Sequence, residues 1–179
     1  MSRWPVSLGV AGLGLAAIAG CDGNKPVTGH LEASWVGSDH GKATLPAQAV
    51  WCPRLALLEV TAVAGDTGIA VGLYVPDSMV SGPYPVAKGA PAPGAGPTAG
   101  VAARWFADVA VRGYQGDSGL VTVQRKGQGW AGRFSLRMRP VGAEATVDLS
   151  GSFEVPVVDT STVACPPDSL RPAHDSGGR

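Results

Sequence analysis

The chain has 179 residues, 45% of them apolar, with 14 basic and 14 acidic side chains. That length suits one domain with a core of its own. A formal charge of zero leaves no bulk electrostatic attraction to nucleic acid.

Met1 to Gly20 has the three parts of a secretory signal: Arg3 near the amine, an uncharged Val/Leu/Ile/Ala/Gly run from Val6 to Ala19, and the small pair Ala19-Gly20. The run is too short to span a bilayer, which takes roughly 20 apolar residues. It closes on Ile18-Ala19-Gly20-Cys21, which resembles the lipobox of bacterial lipoproteins. The resemblance implies that the Cys21 thiol takes a diacylglycerol, that the Gly20–Cys21 bond is cut, and that the new amine is acylated, as with palmitate. Several acyl chains anchor a protein stably where a single chain holds it marginally. The resemblance covers the first 21 residues and carries no information about the fold.

The chain has three cysteines, Cys21, Cys52 and Cys165. If Cys21 carries lipid, one pair remains, and an exported protein meets an oxidising compartment. The expectation is a Cys52–Cys165 disulfide; two buried free thiols are the alternative. On the chain-entropy model, closing a loop on the order of 100 residues contributes up to about 4.7 kcal/mol.

Asp22 to Val27 reads as a short polar tether. From Val27 the residues alternate: Val27, Leu31, Ala33 and Trp35 against Thr28, His30, Glu32 and Ser34. Period two marks a strand with one wet face. Gly37 to Gly41 is a turn, and a second strand runs from Ala43 to Trp51. Leu55 to Ala64 and Ile69 to Val75 read as strands joined at Gly65-Asp66-Thr67-Gly68. Ser81 to Val86 is extended, but Pro83 and Pro85 exclude it from central ladder positions. Lys88 to Gly100, rich in Gly, Pro and Ala, is expected to be a mobile loop.

The second half predicts a meander. Val101 to Arg112 alternates as one strand, with Val109 and Val111 on its apolar face; Gly113 to Gly119 turns. Leu120 to Arg125, Trp130 to Arg139 and Ala145 to Val155 follow as strands, and Pro166 to Arg179 reads as a disordered tail. The run from Gly119 to Val155, with its Gly-x-Phe pattern and Gly turns, resembles a design of small exported bacterial lipoproteins of unassigned function. Short strands at regular spacing without a helical period predict an all-β chain behind a cleaved signal peptide: an antiparallel β-sandwich of about eight or nine strands, with a closed β-barrel as the alternative. The expected organisation is signal peptide 1–20, lipidated tether 21–27, β-domain 28–165 and tail 166–179.

Few residues offer chemistry. Gly116-Asp117-Ser118-Gly119 resembles the nucleophile stretch of chymotrypsin-like proteases, yet Leu120 stands where that family has glycine. His30 and His40 also lack the family's Ala-Ala-His-Cys context. A β-turn accounts for the four residues. His30, His40 and His174 follow no metal-ligand spacing, and no cofactor signature occurs, so no metal or cofactor is expected. Trp35, Trp51, Trp105 and Trp130 suit a core better than a ligand cleft. Arg125, Lys126, Arg133, Arg137 and Arg139 form a candidate basic patch. They either pair with the acidic strand that follows or meet an anionic polymer.

The resulting expectation is a non-catalytic binding or structural module, lipid-anchored to the outer or inner membrane of a bacterial envelope and facing the periplasm or cell surface. Its partners would be the membrane, through the N-terminal lipid, and another envelope protein or an anionic envelope polymer. A lipocalin-like carrier of an apolar ligand and a small envelope hydrolase are the alternatives.

Overall fold

A computed structural model describes residues 28–88, 96–142, 145–156 and 158–160. The expected signal peptide, Cys21 and its tether, most of the Gly/Pro/Ala loop (89–95), Cys165 and the tail lie outside the described residues.

The described chain is all-β. Its strands are β1 (Gly29–Gly37), β2 (Gly41–Cys52), β3 (Leu57–Ala64), β4 (Thr67–Tyr74), β5 (Gly82–Pro85), β6 (Thr98–Ala107), β7 (Ala110–Lys126), β8 (Gly129–Pro140), β9 (Val147–Val155) and β10 (Val158–Asp159). Each long strand is antiparallel to the next, β5 set aside, and β1 pairs with both β2 and β9. That double pairing closes the sheet on itself as an eight-stranded antiparallel barrel. Closure removes the two open edges that a sandwich of the same strands would have to protect. Of the two architectures the alternation allowed, the chain adopts the barrel and not the sandwich.

Inward residues follow the period-two pattern closely. Leu31, Ala33 and Trp35 on β1 and Phe134, Leu136 and Met138 on β8 are buried, while Arg133, Ser135, Arg137 and Arg139 face water. No polar or charged residue is buried among the described residues. The Gly-x-Phe pairs have a packing reason. In the β8–β9 register Gly132 lies opposite Phe153, and Phe134 opposite Gly151. Each ring lies over the glycine of the neighbouring strand, where a Cβ would collide with it.

Three departures from the sequence reading share one cause: alternation shows which face a residue takes but not where the chain reverses. Val101 to Arg112 is not one strand. It reverses at Asp108-Val109, so Val109 and Val111 are exposed, at 90% and 46%. Gly113 to Gly119 is not a turn. It lies inside β7, where the register against β8 slips between Gly116 and Ser118 as a bulge. Thr98, Ala99 and Gly100, expected in the mobile loop, begin β6, and Ala99 is fully buried. A smaller departure is the short 3-10 turn Pro53–Leu55 ahead of β3.

β5 explains the bulge. β6 pairs with β7 only from Ala102↔Gln115 onward. Beyond the bulge the same edge of β7 pairs with β5, from Pro85↔Leu120 to Gly82↔Val123. A single bridge between Val86 and Ala99 ties β5 to β6. β5 is thus a wedge in a split of the wall, a four-residue ladder in which Pro83 and Pro85 alternate with Gly82 and Tyr84.

Candidate functional site

The loops between β1 and β2, β3 and β4, β6 and β7, and β8 and β9 form one rim of the barrel. The chain enters at the other rim, where β1 begins. Trp35 on β1 and Trp105 on β6 stand on opposite walls, four strands apart in either direction. Their rings nevertheless stack across the bore at 4.4 Å and 19°. Tyr114 on β7 extends the stack, 4.0 Å from Trp105. The Trp105 indole N–H donates to the Asp39 carboxylate of the β1–β2 loop at 2.6 Å. The Trp35 indole N–H is buried without a partner among the described residues. Burial, and next the nearby Asp39 carboxylate, push the Tyr114 hydroxyl above the ordinary tyrosine range. This aromatic plate seals the first rim. Trp130 is buried towards the other rim, and Trp51 is half-buried.

The polar chemistry lies on the outer wall, where ladder register brings the candidate residues together. Arg137 stands opposite Asp148 and pairs with it at 3.4 Å. Arg139 reaches Asp117 at 3.0 Å, and Lys88 approaches the same carboxylate at 3.8 Å. Lys126 pairs with Glu154 at 2.6 Å. That hydrogen bond from Lys126 holds the Glu154 carboxyl below the usual glutamate range. The Arg125 guanidinium lies 5.3 Å from the Trp130 ring centre and donates to the Gly127 carbonyl. Lys126, Arg137 and Arg139 are therefore ion-paired, Arg125 is held by the Trp130 ring and the Gly127 carbonyl, and Arg133 has neither kind of partner among the described residues.

Ser118, from the protease-like stretch, sits in the β7 bulge opposite Arg137, whereas His40 is in the β1–β2 loop and His30 faces Glu154 across β1–β9. No group of three metal-ligating side chains occurs among the described residues. Cys52 is fully buried and disulfide-bonded; the expected partner, Cys165, lies outside the described residues.

The structure adds a feature absent from the sequence reading. A hollow of about 520 Å³ opens on the outer wall across β2, β1 and β9. Glu32, Ser34, Lys42, Thr44, Ser150 and Ser152 supply its polar lining, and the Ser34 and Ser150 hydroxyls lie 3.2 Å apart. The β1–β2 hairpin brings the first four together, and the closing ladder β1–β9 adds Ser150 and Ser152 from the far end of the chain. A sequence signal existed, since serines recur on the wet faces of two strands, but nothing in it said that those strands touch.

The class is therefore a closed, eight-stranded, up-and-down antiparallel barrel with an apolar interior and a polar outer wall. No family model, curated protein or solved structure matches the chain.

Proposed function

We propose that the protein is a lipid-anchored envelope protein: exported behind residues 1–20, acylated at Cys21, and carrying the barrel as a non-catalytic binding module. The observation that supports a binding role is the division of chemistry between the two surfaces. Inward positions are largely apolar, and charged side chains lie outside with most serine and threonine hydroxyls, where a macromolecule of the envelope can reach them. The anchor fits this arrangement. Seven residues separate Cys21 from Gly29, the first residue of β1, and extended they span at most about 25 Å. The rim at which the chain enters would face the bilayer, with the aromatic plate at the far end. Cys165 is the proposed partner of Cys52.

Cys21→Ala should move the protein from the membrane to the soluble fraction of lysed cells. Continued sedimentation with membranes would overturn the anchor.

Closure of the barrel favours a second reading, a carrier of a small apolar ligand. Such a ligand would have to displace the Trp35–Trp105–Tyr114 plate, so a fatty-acid analogue should quench tryptophan fluorescence saturably. An unchanged spectrum would remove this reading.

A further inference from the structure

The outer wall of the β7–β8–β9–β1–β2 side sorts its charges into two groups. Asp117, Asp148 and Glu154 are each engaged by a cation. Glu32, Lys42, Arg125 and Arg133 make no ion pair among the described residues, and of these Arg125 is occupied by the Trp130 ring. Glu32 and Lys42 are diagonal neighbours on the β1–β2 ladder, since Glu32 faces Thr44 and Ser34 faces Lys42. Diagonal positions are within reach of long side chains, yet these two stand apart on the lining of the same hollow.

The register places hydroxyls between them. Lys42, Ser34, Ser150 and Ser135 are successive partners across β2, β1, β9 and β8. One row along, Thr44, Glu32, Ser152 and Arg133 are successive partners on the same four strands. Glu32 and Lys42 thus line the hollow beside a floor of hydroxyl groups, and Arg133 stands one strand beyond it on β8, next to Ser152. Four strands at their normal spacing give that floor a length of about 14 Å, across the strands. Serine is not a favoured strand residue, and an exposed sheet face gains more from threonine or a longer side chain.

We propose that this hollow is a glycan-binding site, taking a few units of a linear polysaccharide that carries carboxylate groups. The proposal rests on the binding-module reading and names its ligand. Hydroxyl groups that both donate and accept suit the paired hydroxyls of a sugar ring. The Glu32 carboxylate accepts from two ring hydroxyls, a charge-assisted arrangement stronger than a neutral one. Lys42 and Arg133 exceed Glu32 by one positive charge, which selects an acidic over a neutral chain. A wet, open site of this kind is individually weak and depends on repetition along the polymer for avidity.

Native-gel retardation of the full chain in detergent tests the site, with polygalacturonate as the acidic glycan and dextran as the neutral one. Polygalacturonate should retard the wild type, and dextran should do so at least 5-fold less. Arg133→Gln and Ser150→Val, both at exposed positions, should each weaken the retardation at least 3-fold. Arg104→Gln, which removes an exposed cation elsewhere on the barrel that makes no ion pair among the described residues, should leave it unchanged. Absence of retardation by polygalacturonate, equal retardation by dextran, or an equal loss in Arg104→Gln would each overturn the proposal. Near-ultraviolet circular dichroism of each variant confirms that the tryptophan packing is intact. Membrane release of Cys21→Ala reports on the anchor alone, so the two readings fail separately.

Discussion

Two hairpins of this barrel make the same reversal by different means. β7 and β8 turn at Gly127-Gln128, with Gly127 at a φ of +60°. β6 and β7 turn at Asp108-Val109, where a non-glycine residue, Asp108, takes a φ of +55°. Glycine enters that region without steric penalty, whereas an L side chain pays roughly 1–2 kcal/mol. Aspartate is among the residues that tolerate it best, and Arg112 pairs with Asp108 at 2.7 Å. The β7–β8 turn is self-sufficient. The β6–β7 turn is held in place by what lies below it: Trp105, two residues before the end of β6, is locked in the aromatic plate by Trp35, Tyr114 and Asp39.

The β6–β7 turn depends most on Trp105. Trp105→Ala removes a fully buried ring from the centre of the stack and should destabilise the barrel by about 3–5 kcal/mol. Urea unfolding followed by far-ultraviolet circular dichroism would measure it. A loss under about 1 kcal/mol would mean that the plate is not what supports the rim.

The turns themselves should respond in opposite directions. Gly127→Val forces a β-branched residue to positive φ and should cost roughly 1–2 kcal/mol. Asp108→Gly relieves the same conformation, at the expense of an exposed ion pair of little value, and should gain between about 0 and 1 kcal/mol. Equal signs for the two substitutions in thermal unfolding would contradict the assigned conformations.

The smallest effect concerns pH. The Glu154 carboxyl is held below its usual range by Lys126, so its contribution is present above the unfolded value and lost as pH falls through the folded one. Glu154→Gln should therefore flatten the acid limb of the melting-temperature profile slightly and leave the neutral region unchanged. The site is exposed, and an identical acid limb in the variant would show that the pair contributes nothing.

The β8 and β9 strands and their inward faces were legible in the sequence, because glycine marks each turn and apolar residues alternate without a break between. The β6–β7 reversal was not legible. Asp108 is a turn-tolerant residue but has no glycine or proline beside it, and Val109 and Val111 continue the apolar period of β6 through the turn, so the pattern read on as one strand. Gly113, Gly116 and Gly119 misled in the other direction. Three glycines in seven residues suggest a turn, but two of them serve close approaches inside β7. A Cβ on Gly116 would meet Val86, and one on Gly119 the backbone of Leu136. The candidate site divides in the same way. The basic residues of β7 and β8 could be named from the chain, but the pairing of Lys126, Arg137 and Arg139 with Glu154, Asp148 and Asp117, and the Arg133 left over, depended on ladder register.

The amino-acid order by itself determined the class of structure: alternation on nearly every segment makes strands amphipathic, and an amphipathic strand has to bury one face against others like it. It also determined most strand faces, since period two admits only two choices. What it left open was closure. Whether the first strand meets the last depends on twist and stagger summed over eight strands, a property of no single segment. The pairing of β1 with β9 that resolves this also builds the hydroxyl-lined hollow, and so the architecture and the site were decided together by one long-range contact.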